Sequence, residues 1–283
     1  MQFEIGICAY NEDKNLNRLL NFLIKEQFSN ELENIFVVCS GCTDNSEKVV
    51  KKYSKLNGKI VLIHEETRMG KPHAINEILR LMKTPVLIFL AADNIPRKKS
   101  VDRLLFYFKT PIIGGVNGHP IPLNGFKLNT LIWQLYYDIY IQNKSKRGKI
   151  EYLTGEFCAF RPIFNSIPDK IINDDAWIGM KLIEMGFRIE YCENAISEFN
   201  SPVNILEYII QRVRVIKGNQ QIKAKNLINN LYYEPTFAIK SLVHALLKFN
   251  WLNLLAALFL ELYCIIKSKF YKKGVIWDKI KTG

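Results

Sequence analysis

The sequence predicts an α/β fold, a mostly parallel sheet flanked by helices and followed by a C-terminal helical region. Three observations carry this. First, the apolar runs Phe3–Cys8, Ile35–Val38, Ile60–Ile63 and Val86–Leu90 alternate with helical patterns over Lys14–Glu26, Ser46–Tyr53 and Ala74–Met82. That β-α-β-α-β-α-β order describes a doubly wound sheet with right-handed crossovers. Second, Val86–Leu90 is apolar on both faces, as a central strand covered by helices on each side must be. Third, the runs end in polar or small residues: Tyr10-Asn11-Glu12, Ser40–Asp44, Glu65–Lys71 and Asp93. Four such ends converge on one edge of the sheet, where open α/β sheets bind ligands.

In the first helix, Leu16, Leu19, Leu20 and Leu23 fall on one face. After Lys98 the rhythm changes. A short helix (Ser100–Phe108) leads to a strand at Ile112–Val116 and a Gly/Pro-rich turn holding Gly114, Gly115, Gly118, Pro120 and Pro122. An aromatic helix follows at Leu128–Asn143, with Trp133, Tyr136, Tyr137 and Tyr140 as its stripe. Next come a strand and loop over Tyr152–Arg161 around Gly155, then a helix over Asp174–Met185 closed by Gly186. Beyond Pro202 an amphipathic helix carries Gln211, Arg212, Arg214 and Lys217.

The C-terminal region is apolar over Ser241–Phe249 and Trp251–Ile266. The second run falls short of the ~20 residues of a spanning helix. It also contains Glu261, and a carboxylate at mid-bilayer costs about 2.5–3.5 kcal/mol. These features favour an interfacial or re-entrant helix on anionic lipid over a clean span, with Lys267, Lys269, Lys272 and Lys273 beside Trp251, Tyr263 and Tyr271; the alternative is a soluble helical hairpin or dimer interface.

Composition narrows the function. The 283 residues are 48% hydrophobic and 12% aromatic, which excludes disorder. A net charge of +12 points to an anionic partner or surface. No sequence that reads DNA or RNA occurs, so nucleic acid is not an expected partner. Met1–Cys8 already reads as a strand rather than a signal peptide, and six scattered cysteines suit a reducing, cytoplasmic setting. Cys39-Ser-Gly-Cys42 has C-x-x-C spacing, but no second pair or His cluster completes a zinc site. The first strand-to-helix turn lacks G-x-G-x-x-G, and no Walker A sequence is present. Phosphate contact must then come from a metal, basic side chains or turn amides.

The order of motifs over residues 2–225 resembles the family 2 glycosyltransferases, which have the Rossmann-like GT-A fold. Ala9-Tyr10-Asn11-Glu12 resembles the opening A-Y-N-E that lies under the nucleotide base. Ser40-Gly41-Cys42-Thr43-Asp44-Asn45-Ser46 looks like D-G-S-T-D-x-T/S, with Ser40 in place of the first aspartate; Asp44 equally suits a helix N-cap. Arg68-Met-Gly-Lys71-Pro-His-Ala-Ile-Asn76 is similar to N/R-x-G-K-x-x-A-x-N, which implies Lys71 near the diphosphate. Leu90-Ala91-Ala92-Asp93 stands where the family has its D-x-D metal motif, and of the two aspartates only Asp93 is kept. Asn173-Asp174-Asp175 resembles the motif whose aspartate is the general base, a role that falls on Asp175. Gln211-Arg212-Val-Arg214-Val215 looks like Q-x-x-R-W, with Val215 replacing the tryptophan.

The resemblance implies inverting transfer of a hexosyl or N-acetylhexosaminyl group from a nucleotide diphosphate sugar, UDP favoured, to a lipid-linked or saccharide acceptor. Residues 1–97 form the nucleotide-sugar half, 98–225 the acceptor half, and 226–283 an amphipathic or apolar helical region. Gly155, Glu156, Asp174, Gln211, Arg212 and Arg214 are placed with acceptor and diphosphate. Asp93 would hold Mg²⁺ or Mn²⁺, leaning on the phosphates for the remaining ligands. The expected location is the cytoplasmic face of the cell membrane, seated through residues 241–273. The alternative is a GT-A-like domain impaired in catalysis that binds saccharide or a partner, for which Ser40, Ala91 and Val215 speak.

Overall fold

The computed structural model describes residues 1–124, 127–146, 148–224 and 250–271. The expected Ser241–Phe249 helix, Lys272, Lys273 and the Tyr140 side chain lie outside what is described. Its centre is a mixed sheet in the order β3-β2-β1-β4-β7-β6-β8-β5. The first four strands, β1 (Gln2–Ala9), β2 (Glu31–Ser40), β3 (Ile60–Glu65) and β4 (Leu87–Ala91), are mutually parallel. Helices α1 (Asp13–Leu23), α2 (Ser46–Leu56) and α3 (Lys71–Leu81) connect them, as the alternating sequence predicts.

Burial on both faces of β4 divides its residues between two cores. Ile88 and Leu90, with Val86 just ahead of the strand, join Phe3, Ile5, Ile7 and the leucines of α1 on one side. Leu87 and Phe89 join Ile75 and Ile78 of α3 on the other. Gly6 belongs to this second side, where a methyl group would press to 3.1 Å from Ile78, so α3 packs close against β1. α1 stops at Leu23, where its leucine stripe ends, rather than at Glu26. α3 begins at Lys71, earlier than the apolar pattern predicts, because Pro72 is tolerated in a helix's first turn and Gly70 turns the chain at φ 101°.

The second half departs further from expectation. β5 (Asn94–Pro96) follows β4 directly, then come α4 (Ser100–Phe106) and β6 (Ile113–Asn124). The Gly/Pro-rich segment read as a turn is therefore strand. Its glycines answer to packing: a methyl group on Gly114 would stand 2.5 Å from Phe187, and one on Gly118 2.4 Å from Phe157. β6 pairs with β7 (Phe157–Phe160) only over Gly115–Asn117, so beyond that it is an edge. Pro120 and Pro122 lie two residues apart on that edge and forgo donors on one side only.

The aromatic helix is α5 (Lys127–Gln134), a π-helical stretch over Leu135–Ile141 and α6 (Gln142–Ser145). α7 (Asp174–Glu184) ends ahead of Gly186, which has φ 87°. β8 (Arg188–Asn200), which sequence reading did not anticipate, runs parallel to β6 and antiparallel to β5. The two halves thus share one sheet. α8 (Ile205–Ala224) and α9 (Trp251–Ser268) pack together through Tyr208, Ile209, Val213, Leu260 and Cys264.

Candidate active site

A cavity of about 310 Å³ opens at the carboxyl ends of β1, β2 and β4. The amino ends of α3 and α7, the start of β7 and one face of α8 complete its wall. Of the residues singled out from sequence, Ala9, Tyr10, Glu12, Ser40, Arg68, Lys71, Ala92 and Asp93 line it from the first half. Gly155, Glu156, Asp174, Asp175, Gln211 and Arg214 line it from the second. Asp93 and Asp175, far apart in the chain, therefore face one space.

The acidic side of the cavity is organised around one lysine. Lys71 Nζ pairs with Asp174 Oδ2 at 2.8 Å. Burial works against the lysine charge, but Asp174 and Asp175 more than offset it and hold its pKa above the usual range. Asp175 Oδ1 accepts from the Ala176 N–H at 2.7 Å, and the Gly155 N–H also donates to this carboxylate. Burial, reinforced by Asp174, nevertheless raises Asp175 above the ordinary carboxylate value. Burial and then Asp175 push Glu156 up to about 7. Gly155 is what lets these groups meet, since a methyl group there would stand 2.9 Å from Asp175 Oδ2 and 3.2 Å from Lys71 Nζ. Opposite them Arg214 is drawn down to about 9 by burial.

The other end of the cavity carries a flat surface. The Arg68 guanidinium lies over the Tyr10 ring, 3.7 Å from its centroid. Ser40 Oγ accepts from the Met69 N–H at 3.3 Å, which fixes the loop between β3 and α3.

Three expected site residues stand outside the lining. Asn11, at φ 56°, accepts with Oδ1 from the N–H groups of Thr43 (2.7 Å) and Asp44 (3.3 Å), tying two strand-end loops together. Asp44 accepts from the N–H of Asp13 at 3.2 Å and of Ser46 at 2.8 Å, the first residues of α1 and α2, although the N-cap of α2 is Asn45 and not Asp44. Arg212 turns from the cavity to Glu261 of α9, its guanidinium 2.7 Å from Oε2. In a helix, Gln211, Arg214 and Val215 share a face that Arg212 does not.

Sequence reading missed Phe199 and Asn200, which enter the cavity from β8. The alternation of Ile189, Tyr191, Ala195, Phe199 with polar residues was the available signal, broken in register where β8 carries extra residues between Tyr191 and Ile196, opposite Asn117–His119 of β6. Cys8 and Phe89, from the strand floors, were also missed.

For a divalent cation, Asp93 offers a hard carboxylate oxygen of the kind Mg²⁺ and Mn²⁺ take. Among the described residues no group of three or more His, Cys, Asp or Glu is placed to hold a metal. The residues present therefore fit a cation only when a bound diphosphate supplies further oxygens.

Residues 4–166 match the family model described as Glycosyl transferase family 2. The poly(ribitol-phosphate) beta-N-acetylglucosaminyltransferase TarS of Staphylococcus aureus is 30% identical over 141 residues, covering 45% of this chain and 23% of TarS. A poly(ribitol-phosphate) beta-glucosyltransferase of Bacillus spizizenii is 21% identical over 201 residues, covering 68% of this chain and 32% of that protein. The chain thus spans a third or less of the length of these curated relatives. Among solved structures, the mannosyltransferase PcManGT of Pyrobaculum calidifontis, in complex with GDP-Man and Mn²⁺, superposes with TM-score 0.67 at 18% identity, covering 96% of this chain and 76% of that one. S. aureus TarS 1–349 in complex with UDP gives TM-score 0.54 at 17% identity, covering 76% and 64%.

Proposed function

The chain belongs to glycosyl transferase family 2, and on that premise we propose that it transfers a sugar, with inversion, from a nucleotide diphosphate sugar to an anionic or lipid-linked saccharide acceptor at the cytoplasmic membrane face. The observation that carries this is the shared cavity of Asp93, Lys71 and Asp175. Tyr10 and Arg68 offer a platform for the base, and Lys71 and Arg214 lie where charge grows on the departing diphosphate. Asp175, raised by burial, takes the proton of the acceptor hydroxyl as that oxygen attacks the sugar carbon opposite the leaving group. A cation at Asp93 would neutralise diphosphate charge; Mn²⁺ accompanies the donor in the PcManGT complex. The +12 charge and the poly(ribitol-phosphate) relatives favour an anionic polymer as acceptor.

Seating at the membrane is supported by α9. By length and composition this helix could cross a bilayer, with mean hydropathy 1.5 over 18 residues, and it is 28% buried. Its inner side is packed on α8, while Trp251, Leu255, Leu258, Phe259, Leu262 and Ile266 face outward. An in-plane helix satisfies both sides. Flotation of the full-length protein with vesicles containing anionic lipid checks this, and protein that stays wholly in the soluble fraction opposes it.

Asp175→Asn tests the chemistry. A loss of roughly 10²–10⁴-fold in transfer is expected with folding and donor binding kept; activity within a few-fold of wild type removes Asp175 as the base. A second reading, a saccharide- or partner-binding domain without turnover, is favoured by Ala91, Ser40 and Val215 standing in the cavity wall. Release of nucleoside diphosphate from the donor without acceptor separates the two, because a pure binder releases none.

A further inference from the structure

The two faces of α8 do different jobs. Gln211, Arg214 and Val215 line the cavity. Tyr208 and Arg212, one turn apart, face α9 instead. Between the helices sits one carboxylate. Glu261 accepts from the Tyr208 O–H at 2.5 Å and from Arg212 Nε at 2.8 and 2.9 Å, and its Oε2 lies 2.7 Å from a second guanidinium nitrogen. A forked arginine–carboxylate contact fixes angle as well as distance.

Arg212 adjoins Gln211 and stands two residues from Arg214, so whatever sets the rotation of α8 at 212 also sets both cavity residues. One further contact holds the pair of helices in register: Gln220 Nε2 donates to Ser268 Oγ at 3.1 Å.

We propose that Glu261 is a positioning residue: by gripping Arg212 and Tyr208 it sets the rotation of α8 and so aims Gln211 and Arg214 into the cavity. This rests on reading that cavity as the nucleotide-sugar site. It makes α9 part of the reacting assembly as well as a membrane seat, so a chain trimmed before Asn250 loses turnover even on an acceptor free in solution.

The test uses the full-length protein in lipid or mild detergent, well below each variant's melting temperature. Three variants are compared with wild type: Glu261→Gln, the neutral pair Arg212→Gln with Glu261→Gln, and the exchange Arg212→Glu with Glu261→Arg. Donor turnover is read as kcat and KM, and amide hydrogen exchange is followed over residues 205–215. Glu261→Gln is expected to lower kcat about tenfold with KM for the donor within about twofold, and to speed exchange along α8. The exchanged pair is expected to recover most of the kcat. If Glu261→Gln does not fold, the neutral pair, which leaves no charge unpaired, is read in its place. A folded neutral pair with wild-type kcat and wild-type exchange overturns the proposal, as does an exchanged pair no better than Glu261→Gln. Should wild type neither bind nor release UDP or GDP, the proposed function fails, and the exchange measurement alone decides whether Glu261 orders α8.

Discussion

Replacing Gly155 by alanine tests the spacing of the acidic centre. The added methyl group would stand 2.9 Å from Asp175 Oδ2 and 3.2 Å from Lys71 Nζ, against 3.4–4 Å for ordinary contact. The carboxylate must withdraw by about half an ångström, stretching its bond from the Gly155 N–H and disturbing the Lys71–Asp174 pair. A catalytic group misplaced by ~1 Å costs about 10²-fold, so half that displacement sets an expectation of roughly tenfold in kcat. Stability should hardly move. Both displaced atoms are side-chain tips, which puts overpacking near ~1 kcal/mol, and alanine returns ~0.4–1 kcal/mol by stiffening the unfolded chain. Gly118→Ala is the contrast: its methyl group would meet the Phe157 ring at 2.4 Å and the Ala195 carbonyl at 3.0 Å, inside the core. That change should cost ~1–3 kcal/mol, read as a lowered melting temperature. Steady-state turnover with calorimetric melting on both variants decides the matter. A folded Gly155→Ala enzyme with kcat within about twofold of wild type would refute the argument that contact at 155 sets the position of Asp175.

Three further outcomes are expected. Glu156 is raised from 4.5 to about 7, so the native state keeps a proton that the unfolded chain gives up; its stabilisation, at most roughly 3 kcal/mol, is complete at low pH and lost as pH rises through about 7. Metal-free melting curves of Glu156→Gln should therefore show a flatter pH slope than wild type, while transfer, if Asp175 acts as the proposed base and must be ionised, rises over the same interval. Ala91→Asp places a second carboxylate at the end of β4 and should tighten Mn²⁺ binding in the presence of UDP by about tenfold or more, measured by calorimetry; unchanged affinity would clear Ala91 of responsibility. Asn11→Ala removes the acceptor of two loop N–H groups at a residue with φ 56° and should lower stability by about 2 kcal/mol in denaturant melts.

The sequence was most legible where one physical demand acted alone. Val86–Leu90 had to be apolar on both faces, and its five-residue length between turn signals favours a buried strand over a helix. The strand ends were legible for the same reason: Asp93 and the Glu65–Lys71 loop had to be polar where apolar runs stop, whereas Asp175, at the start of α7, was marked by the family motif. Lys71, Asp93 and Asp175 line one cavity. Legibility failed where two demands fell on the same residues. Gly114 and Gly118 read as turn because glycine bends chains, yet here they make room for Phe187 and Phe157. β8 hid because its pairing with β6 shifts register, which breaks the alternation that marks a strand. Arg212 enters the expected site only through its place inside the Gln211–Val215 motif. Helical spacing sets it apart from Gln211 and Arg214, but no local signal could reveal that Glu261 waits on the other side.

The short corner between β4 and β5 has a geometric consequence. In the sheet β7, β6 and β8 lie between these two strands, so a flat sheet would hold them about 19 Å apart at ~4.8 Å per spacing. Yet only Ala92 and Asp93 separate Ala91 from Asn94, and three peptide steps reach no more than about 11 Å. The sheet must therefore roll towards a half-closed cylinder, and Asp93 rides on the seam where its rims approach. Across that seam Asn94 Nδ2 donates to the Glu156 carbonyl at 3.1 Å. Asp93 thus owes its place to the curvature of the whole barrel wall. A substitution that flattens β6 or β8, however distant from the cavity, would carry that carboxylate away with it.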